Sequence, residues 1–475
     1  MKKNSFYITT TAPYVNADPH IGFALEIIQA DVIARFKRQT GYDVSFGFGT
    51  DEHGVKIYRK ALEAQKDPLA YCNEFAQKFN DLIKKLNLSI THFIRTTDPK
   101  HTKAAQEFWN LCFKKGDIYK KNYHIRYCVG CELEKTDSEL MNGKCPVHPN
   151  LEIENYEEEN YFFKFSKYEK PLLDFYNIHK DFVLPESKFL EIKQFVKNGL
   201  QDFSVSRLKN KMPWGIDVPN DSEQVMYVWF DALVFYISTI GWPDNVEEFQ
   251  NKWPVIQVAG KDNLRQQSAI WQAMLMSAEL PNSKQIIIHG FITSDGQKMS
   301  KSLGNVVNPI DLIQKYGIDA VRYYLLREIP PLSDGDFSYS RMEEIYNSDL
   351  ANELGNLVSR ITTIAEKDNM IIENDDQKKW SNDEIKLFDG FQFNIILENI
   401  WKDIKTLNKN TDDFAPWKKN STERKDFLIE IIQKIQYIAF QLKPFLPETS
   451  EKIIKFTNGK IIKSPILFPK GSFAN

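Results

Sequence analysis

FYITTTAPYVNADPHIGFALE, residues 6–26, decides how the first part of the chain folds. FYITTT (6–11) is rich in β-branched and aromatic residues, the composition of a strand, and Pro13 and Asn16 then break it. Regular structure resumes at His20, where an apolar pattern of helical period runs to about Phe36. DVSFGFGT (43–50) reads as a second strand, and GVKIYRKALEAQ and the stretch after Pro68 read as helices. Strand, helix, strand, helix predicts an α/β fold with a doubly wound parallel sheet of Rossmann type.

From about Tyr119 to Pro219 this alternation stops, and short aromatic, acidic segments surround a cysteine cluster. That interval reads as an insertion into the sheet. Alternation returns with VMYVWFDALVFYIST (225–239), VIQVAG (255–260) and QIIIHGFIT (285–293), read as strands completing the first sheet. Beyond about Tyr346, long Leu/Ile/Val stripes of helical period predict a closing α-helical bundle. The boundaries follow: 1–118 and 220–294 as two halves of one sheet domain, 119–219 as the insertion, 295–346 as a connecting region, and 347–475 as the bundle.

The chain has 475 residues, too many for one ordinary core. Its 42% hydrophobic and 26% charged residues are those of a soluble globular protein. No run approaches the roughly 18 apolar residues of a membrane span. MKKNSFYITTTAP lacks the apolar core of a secretory signal, so a cytoplasmic protein is expected. A net charge of −3 excludes coating nucleic acid by bulk charge, though not binding through local basic patches. Five cysteines do not make a disulfide framework.

Three stretches carry chemistry. His20-Ile21-Gly22 opens a helix after a strand, where free backbone N–H groups and the helix dipole suit a polyphosphate. His20 could donate to charge developing on an α-phosphate, and Gly22 would let a flat base approach the backbone. Alone, this tripeptide equally suits a capped helix with an incidental histidine. DGQKMSKSLGNVVNP (295–309) sets Lys298 and Lys301 three apart on a loop flanked by Gly296 and Gly304, able to close over a pyrophosphate. Cys128-x2-Cys131-x13-Cys145-x2-His148 has zinc-knuckle spacing, and four protein ligands predict a structural zinc. Cys72 and Cys112 fall on predicted helices and read as packing residues.

The pair HIGF…KMSKS resembles the HIGH and KMSKS signatures of class I aminoacyl-tRNA synthetases. From PYVNADPHIG to SPILFPK the chain is similar to bacterial-type methionyl-tRNA synthetases over essentially its full length. The resemblance implies ATP, with Mg2+, and L-methionine as substrates and tRNA(Met) as partner. It implies an ATP site at His20, Gly22, Glu26, Gly260, Lys261, Asp262, Lys298 and Lys301, and places Arg207 near the reacting groups. It implies a methionine pocket of Ala12, Tyr14, Asp51, Trp229, Ala232, Leu233, Tyr236, Gln267 and Trp271, in which Asp51 takes the amino group. It makes 295–346 the KMSKS and stem-contact region and 347–475 the anticodon domain, where Asn356, Arg360 and Trp417 read the bases. The knuckle would lie by the acceptor end of the tRNA. A monomer is expected.

Two positions depart from the family pattern. Phe23 replaces the second signature histidine, and Gln267 stands where the family usually has a histidine four residues before Trp271. Phe23 motivates a rival, a catalytically weakened or silent tRNA-binding relative. Intact KMSKS, Asp51 and Trp229 favour an active enzyme. The insertion is too short for the editing domain of the leucine, isoleucine and valine enzymes. A nucleotidyltransferase acting on a small acceptor would need neither bundle nor knuckle.

Overall fold

In the computed structural model, residues 4–16, 18–131, 133–135, 139–299, 304–375 and 377–471 are described. Six parallel strands form the central sheet, in the spatial order His92–Arg95, Asp43–Thr50, Ser5–Thr10, Val255–Gly260, Gln285–His289, Val183–Leu184. The chain starts at the centre, winds outward to one edge, and returns on the other side of its first strand. Strand order therefore reverses between Ser5–Thr10 and Val255–Gly260, where an open α/β sheet leaves a crevice at its carboxyl ends. The helix Ile21–Gln39 begins beside that crevice.

The first sheet half matches the sequence reading closely, with strands at Ser5–Thr10 and Asp43–Thr50 and helices at Val55–Glu63 and Pro68–Lys85. One segment does not. Val228–Ser238, expected as strand, is a helix, preceded by the strand Asp221–Met226 in a small antiparallel sheet with Ser206–Leu208 and Asp217–Val218. The cause is burial on nearly all sides: an unbroken apolar run has no period to separate strand from buried helix.

The expected insertion is built on a long antiparallel pair, Ile118–Cys128 with Glu154–Phe163, whose register runs from Ile118↔Phe163 to Tyr127↔Glu154. It is not wholly separate from the main sheet. Val183 and Leu184 pair with Ile286 and Ile287 and supply the sheet's edge strand.

The carboxyl-terminal region is helical, with Asn356–Lys367, Phe393–Phe414, Ser421–Leu442 and Pro447–Thr457 as its main helices. It packs directly on the Ile21–Gln39 helix, where Phe36 stacks on Phe388 with centroids 3.8 Å apart. That helix is buried along most of its length, so it is the axis of the molecule rather than a surface amphipath. Among the described residues, no helix is long and apolar enough to cross a membrane.

Candidate active site

His20 is the N-cap of the Ile21–Gln39 helix. Its extended backbone turns the imidazole back over the first turn, and Nδ1 accepts from Gly22 N at 3.1 Å and Phe23 N at 3.4 Å. A neutral imidazole that accepts at Nδ1 carries its proton on Nε2. The helix cap therefore fixes the tautomer, with the proton on Nε2. The protein around His20 holds its imidazolium below the ordinary histidine range by burial, partly opposed by Glu26 and Asp262.

The cap corrects the expectation of free N–H groups at this helix end. Ile21 N donates to Val307 O, Gly22 N and Phe23 N to His20, and Ala24 N to His20 O. The first turn is satisfied by protein, so its backbone N–H groups are spent. Gly22 also has a nearer reason than a bound base: a Cβ there would lie 3.1 Å from the imidazole of His20. Phe23 packs into the core, 5.6 Å from the ring of Phe48 and 5.2 Å, edge-on, from Phe79.

Gly260 ends its strand, and Lys261 and Asp262 follow in a single helical turn. Asp262 is pushed above the usual carboxylate range, chiefly by burial. Beside it lies a pair that the sequence reading only half found. Glu26 Oε1 accepts from Thr11 N at 2.8 Å and Thr11 Oγ1 at 2.6 Å, while Oε2 lies 3.0 Å from His289 Nε2. His289 donates from Nδ1 to Gly290 O at 2.7 Å, so Nε2 can face a carboxylate only as a second donor. Burial alone would lower this histidine; Glu26 and the Gly290 carbonyl outweigh it and raise it. His289 and Thr11 were the residues missed. For Thr11 a signal was available, since it ends a predicted strand; His289 fell mid-strand in 285–293 and ends its strand only in the structure.

The apolar pocket becomes intelligible once Val228–Ser238 is a helix. Trp229, Ala232, Leu233 and Tyr236 recur at i, i+3, i+4 and i+7, one helical face. Tyr236 is buried, with its ring 5.9 Å from Trp271 and its hydroxyl within reach of Gln257 and Gln267. Gln267 lies on a π-turn, Gln266–Ile270. Its Oε1 accepts from Gln257 Nε2 at 2.8 Å, and Gln257 Oε1 accepts from Ser283 Oγ at 2.6 Å. This chain of buried side chains spends the acceptor of Gln267 and leaves its amide N–H groups as donors. Trp271 Nε1 is buried without a partner among the described residues. Asp51, just beyond Asp43–Thr50, is buried and bridges to Tyr14. Ala12 packs against the core cluster that contains Tyr236.

Arg207 is buried on Ser206–Leu208. It donates to Ser204 Oγ and Ser206 O at 2.7 Å each, and its guanidinium lies 4.5 Å from the centroid of Tyr227. Lys298 ends the short strand Gln297–Lys298 and is exposed. Gly296 and Gly304 both have positive φ, the left-handed backbone that glycine adopts without strain. Lys301 lies outside the described residues.

Cys128, Cys131, Cys145 and His148 converge, their ligand atoms all within 4.8 Å of one another. Cys131 Sγ is 3.4 Å from Cys145 Sγ and 3.2 Å from His148 Nδ1, and Cys128 Sγ is 3.8 Å from the same nitrogen. A tetrahedron with bonds of about 2.0–2.3 Å has edges of about 3.5–3.8 Å. The three thiols and one imidazole therefore fit a closed, four-ligand metal site.

The class I tRNA synthetase model for methionine, "tRNA synthetases class I (M)", matches residues 6–152 and 138–362. The methionine--tRNA ligase of Caldanaerobacter subterraneus subsp. tengcongensis is 41% identical over 473 residues, covering 95% of this chain and 74% of that relative. The chain belongs to the methionyl-tRNA synthetase family. The Thermosynechococcus vestitus methionine--tRNA ligase is likewise 41% identical, covering 94% of this chain and 89% of its own. Mycobacterium tuberculosis methionyl-tRNA synthetase in complex with methionyl-adenylate superposes with a TM-score of 0.89 at 34% identity, covering 99% of this chain and 100% of that one. The apo form of the same enzyme gives 0.83 at 30% identity, covering 99% of each.

In the family's helical region, Asn356 and Arg360 fall one turn apart on Asn356–Lys367. Arg360 lies 5.7 Å from the ring of Trp417, which is 48% exposed on a Pro-initiated turn. Arg360 also donates to Asp412 Oδ1 at 2.7 Å. The structure thus brings Arg360 and Trp417, far apart in sequence, onto one surface.

Proposed function

We propose that this chain activates L-methionine with ATP to methionyl-adenylate and pyrophosphate, then transfers the methionyl group to the 3′ end of tRNA(Met). The observation that carries the reading is the meeting, at one switch point, of the donor His20, the Glu26–His289 pair and Asp262 with a pocket walled by Tyr236, Gln267 and Trp271. The methionine carboxylate attacks the α-phosphorus in line, and pyrophosphate leaves. His20 Nε2–H stabilises charge growing on the α-phosphate, and Lys298 and Lys301 neutralise the leaving group. Asp262 and Glu26 take the ribose hydroxyls, Gly260 lies under the adenosine, and Asp51 holds the methionine ammonium. Arg207, braced on Tyr227, adds positive charge near the reacting groups. Mg2+ accompanies ATP as part of the substrate. The tRNA hydroxyl then attacks the methionyl carbonyl and AMP departs.

Gln267 does in this pocket what a histidine donor would do. Its N–H groups point toward Tyr236 and the thioether, because Gln257 holds its oxygen. Phe23 leaves one signature imidazole, and the cap geometry orients that one. Asn356, Arg360 and Trp417 read the anticodon by stacking and hydrogen bonding to unstacked bases. The domain limits given by the sequence, a monomeric state and a cytoplasmic location complete the reading.

Methionine-dependent exchange of pyrophosphate into ATP, followed by charging of tRNA(Met), tests the function. Absence of any methionine-dependent exchange overturns it, and tRNA binding without exchange would favour the silent relative.

The four ligands at residues 128, 131, 145 and 148 would hold one Zn2+, which supplies a cross-link to the knuckle rather than a step of the reaction. Cys145→Ser is expected to lose stoichiometric zinc on metal analysis. Full zinc in that variant would overturn the ligand set.

A further inference from the structure

The tetrapeptide SDGD (333–336) ties together two parts of the site that come from different segments. Asp334 Oδ1 and Oδ2 each accept from Lys261 Nζ at 2.7 Å. Oδ1 also accepts from Phe291 N at 2.9 Å, and the Lys261 ammonium lies 4.4 Å from the centroid of the Phe291 ring. Two residues on, Asp336 Oδ1 accepts from Gly296 N at 2.8 Å and from Thr293 Oγ1. Gly335–Phe337 pairs in parallel with Ile292–Ser294, which pairs antiparallel with Gln297–Lys298. One acid thus holds the lysine of the nucleotide segment, and the next holds the turn of the lysine-bearing hairpin.

The mount is close-fitting. A Cβ on Gly290 would lie 2.2 Å from the backbone of Ser333, so only glycine lets the 333–336 stretch sit against the end of the catalytic strand. Asp334 therefore has a fixed seat, while its partner is a long side chain that can swing. The pair is open to water: the side chain of Asp334 is 60% exposed and that of Lys261 28%. Pairs of this exposure hold weakly, and a triphosphate offers an ammonium more negative charge than one carboxylate.

We propose that Asp334 is a latch that holds Lys261 off the phosphate site until the phosphates of ATP displace it. The latch rests on the ATP site proposed above and names its competitor within the protein. Asp334 is a positioning residue: it touches Lys261, not substrate.

Asp334→Asn keeps an oxygen for Phe291 N and removes the charge that competes for Lys261. ATP affinity, measured by equilibrium binding without methionine, is expected to rise roughly 2- to 5-fold. The KM for methionine in exchange should stay unchanged. Lys261→Gln should weaken ATP binding, and Asp334→Asn placed on Lys261→Gln should then have no further effect. Weaker ATP binding in Asp334→Asn overturns the latch. An equal gain with and without Lys261 also overturns it, because the carboxylate would then act only through its field. ATP binding is read without turnover, so failure of the latch is separable from failure of the methionine reaction.

Discussion

His20→Ala is expected to slow adenylate formation by roughly 100- to 1,000-fold, the range seen when one preorganised donor to a developing oxyanion is removed. The same substitution removes the helix cap, because Nδ1 is the acceptor for Gly22 N and Phe23 N. A lost cap costs about 1 kcal/mol, so the alanine variant should also melt lower. His20→Asn separates the two roles. Asparagine is a preferred N-cap and should restore melting, but it places no donor where Nε2 stood. Exchange kinetics of the two variants beside their melting curves decide the matter; wild-type rates in His20→Ala would remove this histidine from the mechanism.

The same geometry gives a pH dependence with a definite sign. His20 must be unprotonated at Nδ1 to cap, and its folded pKa is depressed, first by burial. An unfolded chain takes up the proton near the ordinary value of about 6.5, before the folded protein does. The contribution of the cap is therefore complete above that value and is lost as pH falls through the lower, folded one. The acid limb of exchange activity should lie below the usual histidine range in the wild type.

His20 also shows what was legible in the chain. HIG after a strand was legible as the start of a helix, and together with KMSKS it led to the family. The competing reading, a capped helix, was half correct, since the histidine is itself the cap. Which nitrogen carries the proton depends on the φ and ψ of one residue, and no spacing encodes that. The residues of VWFDALVFY were legible as core, and as a pocket wall only through the resemblance, but not as a helix, because an apolar run has no period. Gln267 could be named but not interpreted. Its orientation depends on Gln257, which Ser283 holds in turn, and Ser283 is brought to Gln257 beside the pairing of Val255–Gly260 with Gln285–His289. The knuckle was the most legible feature of all, because close ligands in sequence leave tertiary structure little freedom.

Asp31→Asn is expected to destabilise the protein by about 3–5 kcal/mol, the cost of leaving a buried charge without its partner. Asp31 and Arg322 are both fully buried and lie 2.8 Å apart. Asp31 also accepts from Arg35 Nε at 2.7 Å and from Ser89 N and Oγ at 2.7 and 2.6 Å. Arg322 also donates to Phe445 O at 2.7 Å and Pro444 O at 3.0 Å, carbonyls of the helical region, and to Leu86 O at 3.4 Å. The amide of asparagine fits the same space but leaves the guanidinium uncompensated. Burial by itself would raise the Asp31 carboxyl; Arg322, Arg35 and Ser89 outweigh it and hold it low. A depressed carboxylate contributes stability above its unfolded value of about 3.9 that is lost as pH falls through the folded one. Acid unfolding should therefore be less steep in Asp31→Asn than in the wild type. The position of this pair sets its consequence for function. Asp31 lies on the helix that His20 caps, about 16 Å along it at 1.5 Å per residue. Through Arg322 that helix is bonded to the loop before Pro447–Thr457, in the helical region proposed to read the anticodon. Loss of the pair should lower the melting temperature by several degrees and reduce tRNA charging more than pyrophosphate exchange, which does not need the helical region. An unchanged melting temperature would mean that the pair contributes no net stability, and equal losses in both reactions would mean that it does not align the two regions.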